Sequence, residues 1–449
     1  GLGVAAITRF MEWAMEKCKV ENRTVAAAVA LLVCMVVPLQ MVSQTWDDHD
    51  RSGRYVARDF GMNYLSSVEP NAILFTNGDN DTFPLWYAQE VEGYRTDVRV
   101  CNLSYLQTDW YIDQMKRPAY ESAPLPISAA PTVYAYDKRA YNYVIPRMED
   151  SLTVREALNF LYSDEAWTKE LPSYGMINHL PTTKLYIPVD PEVARENAGI
   201  PNEYIDSIAD KIVPNFAGKT GFTMSEIASL DLINTNIEQG WKRPVYFAVT
   251  VSNSLYLGLE DYFVRTGMAY HLVPVKNEGM GVDTERMYEN MMTKFRWGGL
   301  DKATPEHPLY LDENVRRMCQ TIRLMFSELV NGLIEEGQNE KAMAALDLVM
   351  EKIPGWQVRH ELSSMQMADS YLRLGANDKG LALLQDIVGN SIQYMRWYQT
   401  LTPSQLRSVG DYNLHAYIIQ AGLTMLVEAG MQEEAEQIIA DAQASGLAM

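Results

Sequence analysis

Two short acidic stretches carry the side chains best suited to chemistry. In the first, Asp47, Asp48, His49 and Asp50 stand in a row, with Arg51 and Arg54 close behind. In the second, Asn77, Asp79 and Asp81 occupy alternate positions of NGDNDT, directly after the apolar run AILFT at 72–76. Alternating Asp and Asn oxygens are the ligands a hard cation such as Ca²⁺ or Mg²⁺ prefers. A loop at the carboxyl end of a strand is also where ligands gather in an open α/β sheet. If the two stretches converge they would hold one divalent cation, with Asp79 and Asp81 as the metal ligands; a metal-dependent hydrolase is then one expectation. The same residues have a plainer use. Asp50 or Ser52 can cap a helix beginning near Arg54, and Asp81 or Thr82 a helix beginning at Pro84.

Two further sets are candidate contacts for a glycan or an anion. Tyr134, Tyr136, Tyr141 and Tyr143 alternate along TVYAY and YNYVI, which the spacing predicts to be the arms of a hairpin. Such rings can stack on sugars, or form the half-buried face of an edge hairpin. Lys242 and Arg243 stand in WKRP just before a strand, as an anion site or as solvated turn charges. No GxxxxGK[ST], HExxH, GxSxG or CxxC occurs. His179, His271 and His360 read as structural residues.

The elements that must position these groups follow from periodicity. Residues 54–68 predict an amphipathic helix, 72–76 a buried strand, PLWYAQEVEG a helix, 97–103 a second strand and DWYIDQMK another helix, so part of the sheet is parallel. The four prolines of 118–131 predict an irregular connection. Thr223 and Glu226 have capping-box spacing ahead of a helix, then VYFAVTV reads as a strand, YLGLEDYFVR as a helix and AYHLVPV as a strand. Glycine and proline density marks 276–311 as a linker or domain boundary. From Asp312 onward no strand pattern appears. EEGQNEKAMAAL, RLGANDKGLALL and EAGMQEEAEQII repeat a helix–glycine–helix phrase around Gly337, Gly375 and Gly430, resembling degenerate tetratricopeptide repeats.

The stretch from Thr24 to Val42 holds no charged residue and is long enough to span a bilayer. Arg9, Lys17, Lys19 and Arg23 precede it and TWDDHD follows, so the positive-inside rule places the chain beyond it outside the cytoplasm. Phe10, Trp13, Ala14 and Cys18 share one face of a juxtamembrane helix. The expected fold class is thus α/β plus all-α. It comprises a cytoplasmic amphipathic segment (1–23), one transmembrane helix (24–43), a mixed, partly parallel α/β domain (44–300) and a tetratricopeptide-like helical domain (312–449). The apolar opening GLGVAAI reads as the end of another apolar element, so the chain is expected to be the C-terminal part of a longer protein. With 58 acidic against 38 basic residues the net charge is −20, which excludes a nucleic-acid binder.

The run ILFTNGDNDTFPLWYAQEVEGYRTDVRVCNLSYLQTDWYIDQMK, together with WDDHDRSGR, WKRPVYFAVT and YLGLEDYF, resembles a family of large bacterial multi-spanning membrane proteins of unknown function that is protein O-mannosyltransferase-like. The resemblance covers residues 20–275, and the helical tail in outline. It implies a preceding multi-spanning half like that of membrane glycosyltransferases using lipid-linked sugars, with the catalytic acid there and not here. This chain would then be the periplasmic region on the bacterial inner membrane, recognising an acceptor protein or glycan beside its own missing membrane domain. A non-enzymatic envelope scaffold is the third expectation. In a bacterial host, a reporter phosphatase that works only in the periplasm, fused after Asp50, should be active; activity of a cytoplasm-only reporter at that junction would refute the orientation.

Overall fold

A computed structural model of the chain describes residues 2–17, 23–136, 138–277, 280–444 and 446. Cys18 and Lys19 of the juxtamembrane reading, and Asp137 of the hairpin reading, lie outside the described residues. Helix α1 (Leu2–Lys17) is followed by α2 (Arg23–His49). Within α2, Ala27–Trp46 has a mean hydropathy of 1.9 and is long and apolar enough to cross a membrane. Only 6% of that window is buried, so protein contacts do not explain its apolarity as they would in a core helix. The helix continues through Pro38 and reaches His49, six residues past the expected end, so all of the first acidic stretch but Asp50 falls in its last turn.

Helix α3 (Val56–Ser66) is buried on nearly every side, beyond what an amphipathic pattern requires. It packs on α4 (Asp79–Glu90), where a Cβ at Gly61 would lie 2.5 Å from the Pro84 carbonyl oxygen. Strand β1 (Ile73–Thr76), α4 and β2 (Arg99–Asn102) form the expected βαβ unit, and α5 (Asp109–Met115) follows. β1 is parallel to β2, with Ile73 opposite Arg99, and parallel on its other side to β5 (Val245–Ala248), with Ile73 opposite Val245. β5 pairs antiparallel with β7 (Ala269–Leu272), β7 with β6 (Phe263–Arg265), and β6 parallel with β8 (Gly281–Val282). The order is therefore β8-β6-β7-β5-β1-β2, and the strands of the sheet centre are buried on both faces.

Three sequence expectations give way. NGDNDT is not a loop: α4 begins at Asp79, so Pro84 sits inside the helix and supplies no N–H for the carbonyl of Asn80. The tyrosine hairpin does not form. Pro131–Tyr134 is one helical turn, while β3 (Tyr141–Val144) pairs antiparallel with β4 (Gly221–Thr223) and parallel with His179–Leu180. The physical reason is Arg139, which is buried and donates to the carbonyls of Val133, Leu161 and Tyr162 and to Asp164. The chain folds around that guanidinium instead of doubling back on itself. YLGLEDYFVR is a turn and then one 3-10 turn (Glu260–Tyr262) running into β6, not a helix. Leu257 and Gly258 both have positive φ, and a Cβ at Gly258 would stand 2.4 Å from the Asn215 carbonyl oxygen.

Other expectations stand. Helix α6 (Met224–Glu238) carries the Thr223/Glu226 capping box in both directions. The proline-rich connection 118–131 is irregular and is tethered: Ser122 and Ala123 accept from Arg243, and Ser128 and Ala129 donate to the buried Asp231. The stretch 276–311, read as a linker, is instead packed into the core over its described residues, with helix α7 (Thr284–Glu289) and buried Met287, Met291, Phe295 and Leu300.

From Glu313 the chain is helical. Three hairpins pair α8 (Glu313–Glu335) with α9 (Asn339–Lys352), α10 (Leu362–Arg373) with α11 (Asn377–Gln399), and α12 (Tyr412–Glu428) with α13 (Gln432–Ala444). Each turn is the same double closure. Gln338, Ala376 and Met431 donate to Leu333, Tyr371 and Leu426, while Gly337, Gly375 and Gly430 donate to Ile334, Leu372 and Val427. The three glycines have φ of 73°, 77° and 77°, the left-handed cap for which the repeated phrase encodes them. Helix α8 packs on α3 and α7, and one apolar core runs from Val56 to Ala435.

Gly61→Ala should lower stability by about 1–3 kcal/mol through overpacking against α4. Gly389→Ala, in α11 with nothing within 4 Å of its Cβ position, should raise stability by about 0.5–1 kcal/mol. Urea unfolding of both variants checks the pair; equal effects would show that the α3–α4 contact is not as close as described.

Candidate functional site

The carboxyl ends of β1, β2 and β5 lie side by side, and the residues just past them build two layers. The inner layer is buried. Thr76 and Thr82 hydroxyls are 2.8 Å apart, and Asn102 Nδ2 donates to Thr82 Oγ1 at 2.9 Å. Asp81 is 3% exposed; its carboxylate accepts from Thr250 Oγ1 (2.8 Å), Thr82 N (3.0 Å) and Asn77 N (3.3 Å). Tyr64 Oη lies 3.0 Å from Thr250 Oγ1. Because Thr250 gives its one proton to Asp81, it must accept from Tyr64, so the order is Tyr64 to Thr250 to Asp81. Burial raises the Asp81 pKa, and the Thr250 hydrogen bond pulls against it. Burial, and then the Asp81 charge, raise Tyr64 well above the ordinary phenol value, which keeps it a donor.

The outer layer faces solvent. Asn77 Oδ1 accepts from Ser104 Oγ at 2.7 Å, Asp79 is exposed, and Asn80 reaches Asn314 at the start of α8 (3.4 Å). Asp79 and Asp81 therefore part company. Residues two apart would converge in an extended loop, but on a helix they point to different faces. Asp81 turns inward and Asp79 outward. Among the described residues no group of three or more His, Cys, Asp or Glu is arranged to hold a metal ion.

The first acidic stretch lies nearby. Asp50 accepts from Ser52 N and Oγ, and His49 Nδ1 is 2.9 Å from the Thr45 carbonyl; the side chains of Asp47 and Asp48 lie outside the described residues. A cleft of about 570 Å³ is lined by Asp50, Arg54, Leu309, Tyr310, Asp312 and Val315. Both acidic stretches thus adjoin residues 312–315, where α8 begins.

Beside the outer layer runs an aromatic ladder that sequence reasoning missed. Phe83 and Trp86 ring centroids are 5.8 Å apart, Trp86 and Tyr105 are 6.0 Å apart and within 14° of parallel, and Tyr105 and Trp110 are 6.0 Å apart. Its ends are open, Phe83 being 46% and Trp110 54% exposed. Phe83 and Trp86 are three apart on α4, and Tyr105 and Trp110 flank the start of α5. The available signal was the aromatic density of FPLWY and SYLQTDWY, which becomes a ladder only when the two segments are juxtaposed.

The predicted tyrosine set divides. Tyr134 is buried, with its hydroxyl donating to Asp113 at 2.7 Å, and is no platform. Tyr136 is exposed, and its N–H donates to Asp109, next to Trp110. Tyr141 and Tyr143 are half exposed with rings 5.1 Å apart, and Gln107 donates to the neighbouring Ala140 carbonyl. Arg243 is no anion contact. It is buried and donates to the carbonyls of Asn71, Ala72 and Ala123 and to Ser122 Oγ; burial pushes its pKa down to about 10. Lys242 is exposed, but at the amino end of β5, the opposite edge of the sheet. His179, His271 and His360 are buried, and desolvation lowers the pKa of each, His360 to about 3.

The sequence family described as TMEM260-associated domain 2 matches residues 57–291, just over half of the 449-residue chain. The matched span begins at the second residue of α3 and ends just after α7, so it contains the whole six-stranded sheet, the NGDNDT turn and the ladder. No curated protein and no solved structure matches the chain.

A raised folded pKa means that the fold holds the Asp81 proton more tightly than the unfolded chain does. Stability from this group is full below 3.8 and is lost as the pH rises through the folded value. Thr250→Val removes one donor to the carboxylate and should lower stability at neutral pH by about 2 kcal/mol. The loss should shrink on acidification, once Asp81 is protonated. Urea unfolding across pH checks this; a loss independent of pH would mean that Thr250 acts by packing alone.

Proposed function

From the premise that the chain belongs to the TMEM260-associated domain 2 family, we propose that it is the non-catalytic outer region of a glycosyltransferase-like membrane protein and that it holds the acceptor beside the membrane. TMEM260 itself is described as protein O-mannosyltransferase-like. The observation that carries the reading is the meeting of two features at one place. At the carboxyl end of the sheet Asn80, next to the exposed Asp79, reaches Asn314 at the start of α8, and the segment that leaves the apolar helix α2 shares a cleft with the same start. A ligand bound at that edge would be held at the end of the domain joined to the membrane.

The chemistry of the edge supports binding over catalysis. Glycosyl transfer and hydrolysis use paired carboxylates or a carboxylate with a base. Here Asp81 is closed off by three hydrogen bonds and turned inward, while Asp79 faces solvent on the other side of the helix, so the two do not form a pair. In this reading the basic flank before α2 lies in the cytoplasm and the acidic domains lie in the periplasm of a bacterial cell. The helical hairpins, stacked on the same core through α8, give the acceptor or an envelope partner a second surface.

The test is an Asn77→Ala/Asp79→Ala variant of the intact membrane protein, with acceptor glycosylation read by mass spectrometry. The expected result is a several-fold loss of acceptor modification at unchanged expression and melting temperature. Full modification by the double variant would sink the acceptor reading.

A further inference from the structure

We infer that the aromatic ladder Phe83–Trp86–Tyr105–Trp110, with Asp79 and Asp109 on its rim, is a binding platform for a neutral glycan chain carried by the acceptor. The inference rests on the acceptor reading above and names the chemistry of what that edge takes.

Four rings in succession lie 5.8–6.0 Å apart, centre to centre. For the central pair, a 6.0 Å separation with planes 14° apart describes offset rings, so each leaves part of its face uncovered. The outer rings are about half exposed, in a protein with ample core to bury them. A row of aromatic rings open at both ends and partly open between them is a feature that needs an occupant. A pyranose ring offers one: a C–H face matching an aromatic ring in size, bordered by hydroxyls that need planar acceptors.

The rim supplies such acceptors. Asp79 is exposed, has no hydrogen-bond partner among the described residues, and stands one helical turn before Phe83 on α4. At the far end Asp109 accepts from Trp110 N and Tyr136 N, which fixes the backbone on which the exposed Tyr136 ring stands. Charge sets the class. Carboxylates at both ends, on a chain of net charge −20, repel uronic acids, phosphorylated sugars and anionic membrane surfaces, and favour an uncharged polyhydroxyl chain.

The experiment uses the full chain in a sugar-free zwitterionic detergent, with mannohexaose and cellohexaose as neutral probes and hexagalacturonate as the charged one. Saturation-transfer NMR and tryptophan fluorescence read the binding. At least one neutral hexamer should bind through its C–H protons. Trp110→Ala and Phe83→Ala should each weaken that binding by about tenfold, and Trp110→Phe should retain most of it. Hexagalacturonate should bind more weakly, the gap narrowing in Asp79→Asn. Melting temperatures show whether each variant is folded; the exposure of both rings makes them safe positions.

Absence of binding by both neutral hexamers overturns the inference, as does unchanged binding in folded Trp110→Ala. So does quenching of Trp110 by brominated lipid in nanodiscs, seen as the difference from Trp110→Phe, which would make the ladder a bilayer contact. If the hexamers fail to bind but ladder variants of the intact protein still lose acceptor modification, the sugar assignment falls and the acceptor reading survives. If modification is also unchanged, both fall.

Discussion

Arg243 lies buried at the amino end of the sheet and donates to three backbone carbonyls, of Asn71, Ala72 and Ala123, and to the hydroxyl of Ser122. Just beside it, Arg95 donates to the carbonyls of Leu65, Val68 and Glu69 at the end of α3 and pairs with Asp97. Together the two guanidiniums fix where α3 stops and where β1 begins. β1 has only four residues, all buried, so fixing its start also fixes its end. Removing Arg243 would take from the Asn71 and Ala123 carbonyls and the buried Ser122 hydroxyl the donor they have here, and leave the Ala72 carbonyl only the Arg99 N–H; a buried polar group left unpaired costs about 1–3 kcal/mol. The same device recurs in the helical region. Arg323, fully buried in α8, donates to the carbonyls of Ile353, Val358 and Arg359 and so closes the turn after α9. An always-charged fork with several donors suits irregular backbone, which has carbonyls that no ladder satisfies.

The consequence at the other end of the sheet is a division of labour among polar groups. Tyr64, Thr250 and Asp81 form a closed chain, and Thr76, Thr82 and Asn102 a second one, and neither is open to a ligand. Their contribution is to hold the first turn of α4 and the ends of three strands in one fixed relation. The groups left facing outward are few: Asn77, Asp79, Ser104 and the open ends of the ladder. A rigid buried layer beneath a sparse exposed one is what a binding edge requires, because the exposed side chains then lose little freedom on engagement.

The helical hairpins are not a detached array. Helix α8 packs against α3 and α7, and Asn314 reaches the NGDNDT turn, so the helical region touches the candidate site in the first turn of α8. The segment 276–311, rich in glycine, makes that contact possible because its glycines admit close backbone approach. At Gly298 a Cβ would stand 2.3 Å from Val56 Cα.

Much of this was legible in the sequence, for local reasons. The apolar stretch in α2, the strand–helix–strand unit, the capping box of α6 and the three glycine turns depend on residues within a few positions of one another, and their patterns gave them correctly. The candidate site was half legible. The NGDNDT turn falls after a strand because a short apolar run bounded by polar residues is a local signal. What the turn does was decided by tertiary structure: once α4 begins at Asp79, helical geometry sends Asp79 outward and Asp81 inward. The failed hairpin and the reassigned Arg243 have the same cause. Arg139 and Arg243 are ordinary charges in sequence, and only the carbonyls that long-range folding brings around them make them structural. The ladder is the clearest instance. Phe83 and Trp86 precede Tyr105 and Trp110 by some twenty residues, and the sequence alone determined that these aromatics exist. Only the parallel pairing of β1 with β2 set α4 beside the start of α5, so that four separate rings became one surface.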